Sequence, residues 1–331
     1  MSVAETQTIR RPALNLRKEL ERFALLIAWA LLILIFAVAI PDTFFTWRTA
    51  STILGSQAVL VVLALALMVP LIAGDFDLSC ASVMVLAAMC VAVLNARMDV
   101  DIGIAIVAAL AIGGIAGAVN AFFILFFRIH SLIITLGLGT FLNGITLWIS
   151  NANTVSGVDM ALVNAVVINR FLGIPLAFYY GTAVAIALWY FLTYTVAGRK
   201  LIFVGRGREV ARLNGVRVDA VRAGALIASG LLSALAGVLY AGMSGSANPS
   251  SGLSLLLPAF AAVFLGATTL NPGRFNPLGT LLSVYFLITG ITGLTMLGAD
   301  PYVQSLFYGG ALIVAVSLSQ LVRNRQPQSF G

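Results

Sequence analysis

Apolar residues in this chain do not recur at the spacing of half-buried helices or strands. They run on almost uninterrupted, at about 23–40, 51–73, 79–94, 102–127, 131–150, 171–197, 223–243, 255–270, 278–297 and 302–322. A helix needs about twenty such residues to cross a bilayer, so the pattern predicts ten membrane-spanning helices. A membrane β-barrel would show short segments of alternating polarity instead. The expected fold class is an all-α polytopic membrane protein, with a transmembrane domain over 23–322 between polar segments at 1–22 and 323–331. Ala37-Val38-Ala39 resembles a signal cleavage site after Arg10, Arg11, Arg17, Lys18 and Arg22. However, Phe23 to Ile40 is longer than a usual signal core and further spans follow, so this stretch reads as an uncleaved first helix.

Composition agrees. Hydrophobic residues make up 60% of the chain and charged residues 9%, against about a quarter charged in soluble domains. Charge then orients the spans. With the N-terminus inside, the inside segments hold the five N-terminal basic residues, Arg128, seven in a central loop, Arg274, Arg323 and Arg325. Only Arg48, Arg97 and Arg170 fall outside. Lys and Arg near span ends resist translocation, so both termini are expected in the cytoplasm, and 151–170 is the longest outside loop. The net charge of +7 is thus explained by membrane side and gives no reason to expect a nucleic-acid partner. Cys80 and Cys90 lie in one apolar run and read as small packing residues, with no disulfide framework or metal-ligand spacing.

The most heavily charged interior segment is 198–222, with Arg199, Lys200, Arg206, Arg208, Arg212, Arg217 and Arg222 against Glu209 and Asp219. Within it Val204, Val210, Ala211, Leu213 and Val216 fit one side of a short helix, and Arg206, Arg208, Glu209 and Arg217 fall largely on the wetter side. Two readings follow: a docking element for a soluble partner, or a topology signal that touches only lipid headgroups.

Ten spans divide into two groups of five, which must be oppositely oriented if they are structurally related. Short, polar breaks rich in small residues occupy corresponding places: Gly74-Asp75-Phe76-Asp77-Leu78-Ser79 after the second span, and Gly245 to Gly252, with Asn248, after the seventh. Such paired interruptions point to a transport path. Asp75, Asp77, Ser79, Asn120, Asn143 and Asn248 are therefore candidates beside it. A carboxylate at membrane depth is costly and usually functional, although Asp77, helped by Ser79, also suits the free N–H groups that open the third helix. Asn120 and Asn143 suit hydrogen bonds between helices. Gly113, Gly117 and Ala121, four residues apart, allow a close helix approach. His130, the one histidine, sits at a span boundary beside Arg128 and reads as interfacial. Neither lysine follows a glycine, so there is no phosphate-binding G-x-x-x-x-G-K-[ST] loop. No nucleophile–base arrangement or buried acid–base pair is evident. A transporter of this kind needs an energy source outside the chain.

Four motifs in order resemble the permease subunits of bacterial ABC importers for simple sugars of the ribose, xylose and galactose type. They are Gly74-x-Phe76-Asp77-Leu78-Ser79; Gly117-x-x-Asn120-Ala121 with Arg128-Ile129 and Ile133 to Gly137; Gly198-Arg199, Gly205, Glu209, Ala211-Arg212-Leu213 and Gly215-Val216; and Leu265 to Thr268 with Leu270, Gly273-Arg274 and Gly279-Thr280. The resemblance implies a plasma-membrane (inner-membrane) permease in a homodimeric or heterodimeric pore. Two ATPase subunits carrying ATP and Mg would dock on the central loop, and a periplasmic or lipoprotein solute-binding protein would deliver substrate. Glu209 to Val216 would be the coupling helix, and the chain would need no cofactor of its own. Nucleosides, autoinducer sugars or branched-chain amino acids are alternative cargoes, and an ion-coupled secondary carrier is the alternative of another class. Departures from the family pattern occur at His130, Ser131, Asp75, Cys80, Ala81, Asn271-Pro272 and Asn276-Pro277.

Overall fold

The computed structural model describes residues 16–323, with side chains over 23–317. Segments 1–15 and 324–331, which hold much of both expected terminal segments, lie outside the described residues. The helices in chain order are α1 (Leu16–Ala39), α2 (Pro41–Phe44), α3 (Trp47–Ser56), α4 (Ala58–Ile72), α5 (Cys80–Ala92), α6 (Ile102–Phe126), α7 (Ser131–Ser150), α8 (Met160–Val163), α9 (Leu176–Tyr194), α10 (Val196–Arg206), α11 (Arg208–Leu213), α12 (Val218–Ser244), α13 (Gly252–Gly266), α14 (Pro277–Met296) and α15 (Pro301–Arg323). Among the described residues there are also two pairs of very short antiparallel strands. β1 (Val155–Ser156) pairs with β4 (Ser246–Ala247), and β2 (Arg170–Phe171) pairs with β3 (Ile174–Pro175).

Among the described residues, seven helical stretches are long and apolar enough to cross a membrane: α3 with α4, α5 with the π-helical turn that follows it, α6, α7, α9, α12 and α14. The other three expected spans appear as shorter apolar stretches, Phe23–Ala39, Gly252–Gly266 and Pro301–Ser317. Several boundaries differ from expectation. The second run starts at Trp47 and is interrupted at Gln57. The third gives way to a π turn at Val93–Arg97. The sixth starts at Leu176 because the hairpin β2–β3, turned at Gly173 with φ +77°, takes up its first residues.

Packing follows from side-chain size. α4 is apolar all round and buried from Ala58 to Leu71, as a helix with no polar face must be. α12 lies against α4, α5 and α6. It approaches α6 where neither helix has a side chain to separate the backbones. A Cβ on Gly113 would strike the Gly230 carbonyl, and one on Gly117 would come within 2.6 Å of the Ile227 Cα. The spacing of Gly113 and Gly117 thus does what was expected of it. α6, α7 and α9 instead expose Phe126, Trp148 and Tyr190, a surface suited to hydrocarbon rather than water.

Loops alternate between two ends of the bundle. The end carrying α10 and α11 also holds the end of α4, the α6–α7 junction and the start of α12; it is called the basic end here. α1 runs alongside α14 in the same direction, with Trp29 donating to Thr289 at 3.0 Å and Phe36 packed on Gly293.

Candidate functional site: the first break and the basic loop

Between α4 and α5 the chain leaves helical geometry at Gly74, φ +78°, and runs extended along α7 before α5 begins. Backbone groups exposed by such a break must find partners, since lipid offers none. Hydroxyls supply them. Phe76 N–H donates to Ser131 Oγ at 3.0 Å and Leu78 N–H to Thr135 Oγ1 at 3.1 Å. One turn further along α7, Gly139 leaves room for the Ser79 backbone, 3.3 Å from where a Cβ would stand. Asp77 then closes the start of α5. Its Oδ1 accepts from Ser79 N–H at 3.0 Å and Ser79 Oγ at 2.6 Å, and its Oδ2 accepts from Ser229 Oγ on α12 at 2.6 Å. Asn120 on α6 donates to Ser79 Oγ at 2.8 Å. The helix-opening reading of Asp77 and the interhelical reading of Asn120 both hold. Asp77, Ser79 and Asn120 are at most 1% exposed, so in this conformation they face protein rather than an open path.

Asp75 is turned the other way, towards the basic end. Arg222, one turn into α12, forms a two-pronged pair with it: Nε to Oδ2 at 2.7 Å and Nη2 to Oδ1 at 2.7 Å. Arg208, the first residue of α11, adds a bond to Oδ1 at 3.0 Å and also donates to the carbonyls of Ala73 and Gly74 at 3.2 and 2.9 Å. The path candidate with no prior structural explanation is therefore the centre of a buried ion-pair cluster.

The basic loop forms two helices split by extended backbone at Gly207, φ 177°. This corrects the expected single face. Leu201, Val204, Ala211 and Val218 are buried, whereas Val210 and Leu213 are 55% and 84% exposed. Each short helix buries its own stripe, so a periodicity continued across the split misplaces both residues. Arg208, expected on the wet side, points inward. The loop is seated closely. A Cβ on Gly205 would strike the Ile72 carbonyl at the end of α4, and one on Gly198 the Phe191 carbonyl of α9. Arg199, Glu209, Arg212 and Gly215 are exposed. Glu209 and Arg212 make a weak mutual pair at 3.4 Å, with side chains 81% and 59% exposed. The segment Glu209 to Val216, for which the family resemblance implied a coupling helix, forms α11, Arg208–Leu213, followed by a turn with Gly215 at φ +76°.

The second break, 245–252, is held differently. Ser250 N–H donates to Asn248 Oδ1 at 2.9 Å, Ser251 Oγ to the Asn248 carbonyl at 2.8 Å and Ser244 Oγ to the Ser246 carbonyl at 2.6 Å, while β4 pairs with β1. Asn248 is exposed. Gly252, the first residue of α13, packs on α5, where a Cβ would lie 2.8 Å from Val85 and 3.1 Å from the Ala81 carbonyl. The two helices that follow the breaks therefore touch. Asn143, half-buried, makes no hydrogen bond among the described residues, so the interhelical bond expected of it is not formed. His130 opens α7, its Nδ1 accepting from Leu132 N–H at 3.3 Å. Cys80 and Cys90 are free and buried. A cavity of about 520 Å³ between α5, α6 and α7 is lined by apolar groups such as Leu86, Ile112 and Phe141, which offer nothing to a polar solute.

Ser229 was missed in the sequence, Ser131 was noted only as a departure and Thr135 only inside a family motif, although a faint sign was present: Ser131 and Thr135, like Ser229 and Ser233, are hydroxyls four residues apart in otherwise apolar helices. Asn276 was noted only as a departure. It is buried and binds the carbonyls of Gly266 and Thr269 at 3.1 and 3.2 Å, closing the turn from α13 to α14.

The chain is thus a multi-pass helical bundle with two short polar breaks and an exposed, closely seated loop. The family described as branched-chain amino acid transport system / permease component matches residues 49–316, and the chain belongs to it. It is 31% identical over 291 residues to the ribose import permease protein of Escherichia coli K12, covering 87% of this chain and 90% of the relative. It is 29% identical over 294 residues to the D-allose transport system permease protein of the same organism, covering 88% and 90%. It is also 29% identical over 261 residues to an autoinducer 2 import system permease protein of Photorhabdus luminescens, covering 77% and 78%. No solved structure is significantly similar to it.

Proposed function

We propose that this chain is the permease subunit of an ATP-driven ABC importer for a simple sugar or polyol, paired with a second permease copy or homologue. Separate ATPase subunits bind the loop, and a solute-binding protein delivers cargo from the opposite side. The observation that carries this is α11. It presents Glu209, Val210, Arg212 and Leu213 to solvent on a base fixed by Gly198, Gly205 and the Asp75 cluster. A mixed apolar and charged face on a rigid footing suits a protein partner better than lipid headgroups, which recognise clustered positive charge. The chain supplies no phosphate-binding loop, so the partner supplies the nucleotide chemistry.

The same reading takes the seven long and three shorter apolar helical stretches as ten spans in two inverted halves, with the basic end in the cytosol of a bacterial inner membrane. The parallel run of α1 and α14 supports placing the N-terminus at that end. Sugar is favoured as cargo by the names of the ribose and D-allose relatives. The autoinducer relative keeps a second cargo open, and a binding assay on the adjacent-encoded solute-binding protein discriminates between them. The test of mechanism is reconstitution with the co-encoded ATPase and binding protein. Uptake is expected to require ATP, and Glu209→Ala is expected to abolish it while leaving the permease folded. Accumulation against a gradient by the permease alone, as an ion-coupled carrier would show, overturns the reading, as does normal uptake by the variant.

A further inference from the structure

Arg208 and Arg222 converge on Asp75 from separate elements, and charge sidedness alone would not produce that arrangement. The Asp75 side chain is 3% exposed, against 14% for Arg222 and 39% for Arg208. Burying such a cluster is poor value as stabilisation, because desolvation offsets much of the attraction. What it does fix is geometry, since a guanidinium fork meets a carboxylate squarely in few orientations. The backbone is shaped to admit it. Gly74 has positive φ and no side chain, and a Cβ there would lie 3.4 Å from the Arg208 Nη2. Two residues beyond Asp75, Asp77 is bonded to Ser79 at the start of α5 and to Ser229 on α12.

The loop has two other links to the bundle. Val204 and Ala211 pack with Val218 of α12, a contact that bypasses the break at 74–79. Gly205 rests on the Ile72 carbonyl, a contact that resists approach and does nothing against separation. An ion pair with directed hydrogen bonds resists separation as well. We propose that Asp75 is a positioning residue that clasps α11 to the first break, so that displacement of α11 in either direction is carried to the start of α5. The proposal rests on the reading of α11 as the ATPase-docking helix.

The test uses the complete transporter in liposomes, with solute uptake and ATP hydrolysis measured in the same preparation. Variants are Asp75→Asn, Arg208→Gln and Arg208→Lys. Substitutions along a coupling route change coupling by roughly 2- to 30-fold, so Asp75→Asn is expected to raise the ATP consumed per solute imported by about tenfold. Arg208→Gln leaves Arg222 to hold Asp75 and keep the fold; it is expected to raise the same ratio about threefold. Arg208→Lys is expected to recover most of the loss. A purely structural role would lower uptake and hydrolysis together by reducing the amount of assembled transporter. An unchanged ratio in Arg208→Gln overturns the clasp, whether or not Asp75→Asn assembles. ATP-independent uptake by the unaltered protein would instead overturn the underlying functional reading.

Discussion

The breaks at 74–79 and 245–252 draw on the same kinds of residue, and they are secured in opposite ways. The first is bound from outside itself. Ser131 and Thr135 on α7, Asn120 on α6 and Ser229 on α12 all bond to it, and Asp75 adds Arg208 and Arg222. The second bonds its side chains only within itself, through Asn248 and Ser244, and its outside support is backbone: the β1–β4 pair, Gly157 and Val158 N–H donating to the Gly245 carbonyl at 3.2 and 3.3 Å, and Gly252 packed on α5. Local opening costs least where few buried contacts would be lost. If the proposed path opens alternately to each side, the first break moves with the basic loop, and the second, whose side chains bond only within it, rearranges more freely; Gly252 against Ala81 and Val85 joins the two.

The sharpest way to break this comparison is to remove the acceptor at the heart of the first break. Asp77→Ala leaves Ser79 N–H, Ser79 Oγ and Ser229 Oγ without their bonds. Leaving a buried donor unmade costs about 1–3 kcal/mol each, so a loss of at least about 3 kcal/mol is expected, read as a marked fall in the unfolding temperature of the detergent-solubilised permease. A variant melting with the parent would mean that this break is not pinned. Thr135→Val is milder. It removes the hydroxyl that accepts from Leu78 N–H and donates to the Ser131 carbonyl at 2.8 Å, and it keeps the side-chain shape. About 1–2 kcal/mol is expected from the stranded amide, measured in the same melt.

How far the sequence carried the fold depends on whether the signal lay in one segment or between segments. Apolar runs are local, so the helices of the bundle were legible, and so was the glycine spacing that brings α6 onto α12. The hairpin before α9 was hidden because Phe171 and Ile174 are as apolar as the helix that follows. The extended residue at Gly207 was hidden because nothing adjacent marks a split in the periodicity, and that misplaced Val210 and Leu213. For the site, the breaks and the exposed Glu209 could be read directly. The partner of Asp75 could not, because Arg222 lies 147 residues away and positive charge at a span end already had a sufficient explanation in topology. Asn120 and Asn143 looked alike in sequence, and which of them meets a partner depends on which helix face is covered.

The smallest expected effect sharpens the comparison most. Asn248 is exposed, and its side chain bonds within its own turn, so Asn248→Ala removes one solvent-competed bond and should change stability by about 0.5 kcal/mol or less. The consequence should be local. The Ser250 amide loses its acceptor, and the turn loses the bond that holds it in one conformation, so hydrogen exchange at 250–252 should accelerate while the amides of Phe76, Leu78 and Ser79 keep the parent rate. Exchange that accelerated at both breaks together would show one cooperative unit spanning them, and the division between a pinned and a self-supported break would fail. Exchange confined to the second break, with an unchanged melt, would place the molecule's freedom to rearrange on the side away from the basic loop. That is where the contact between Gly252 and α5 could still report the movement to the clasped half.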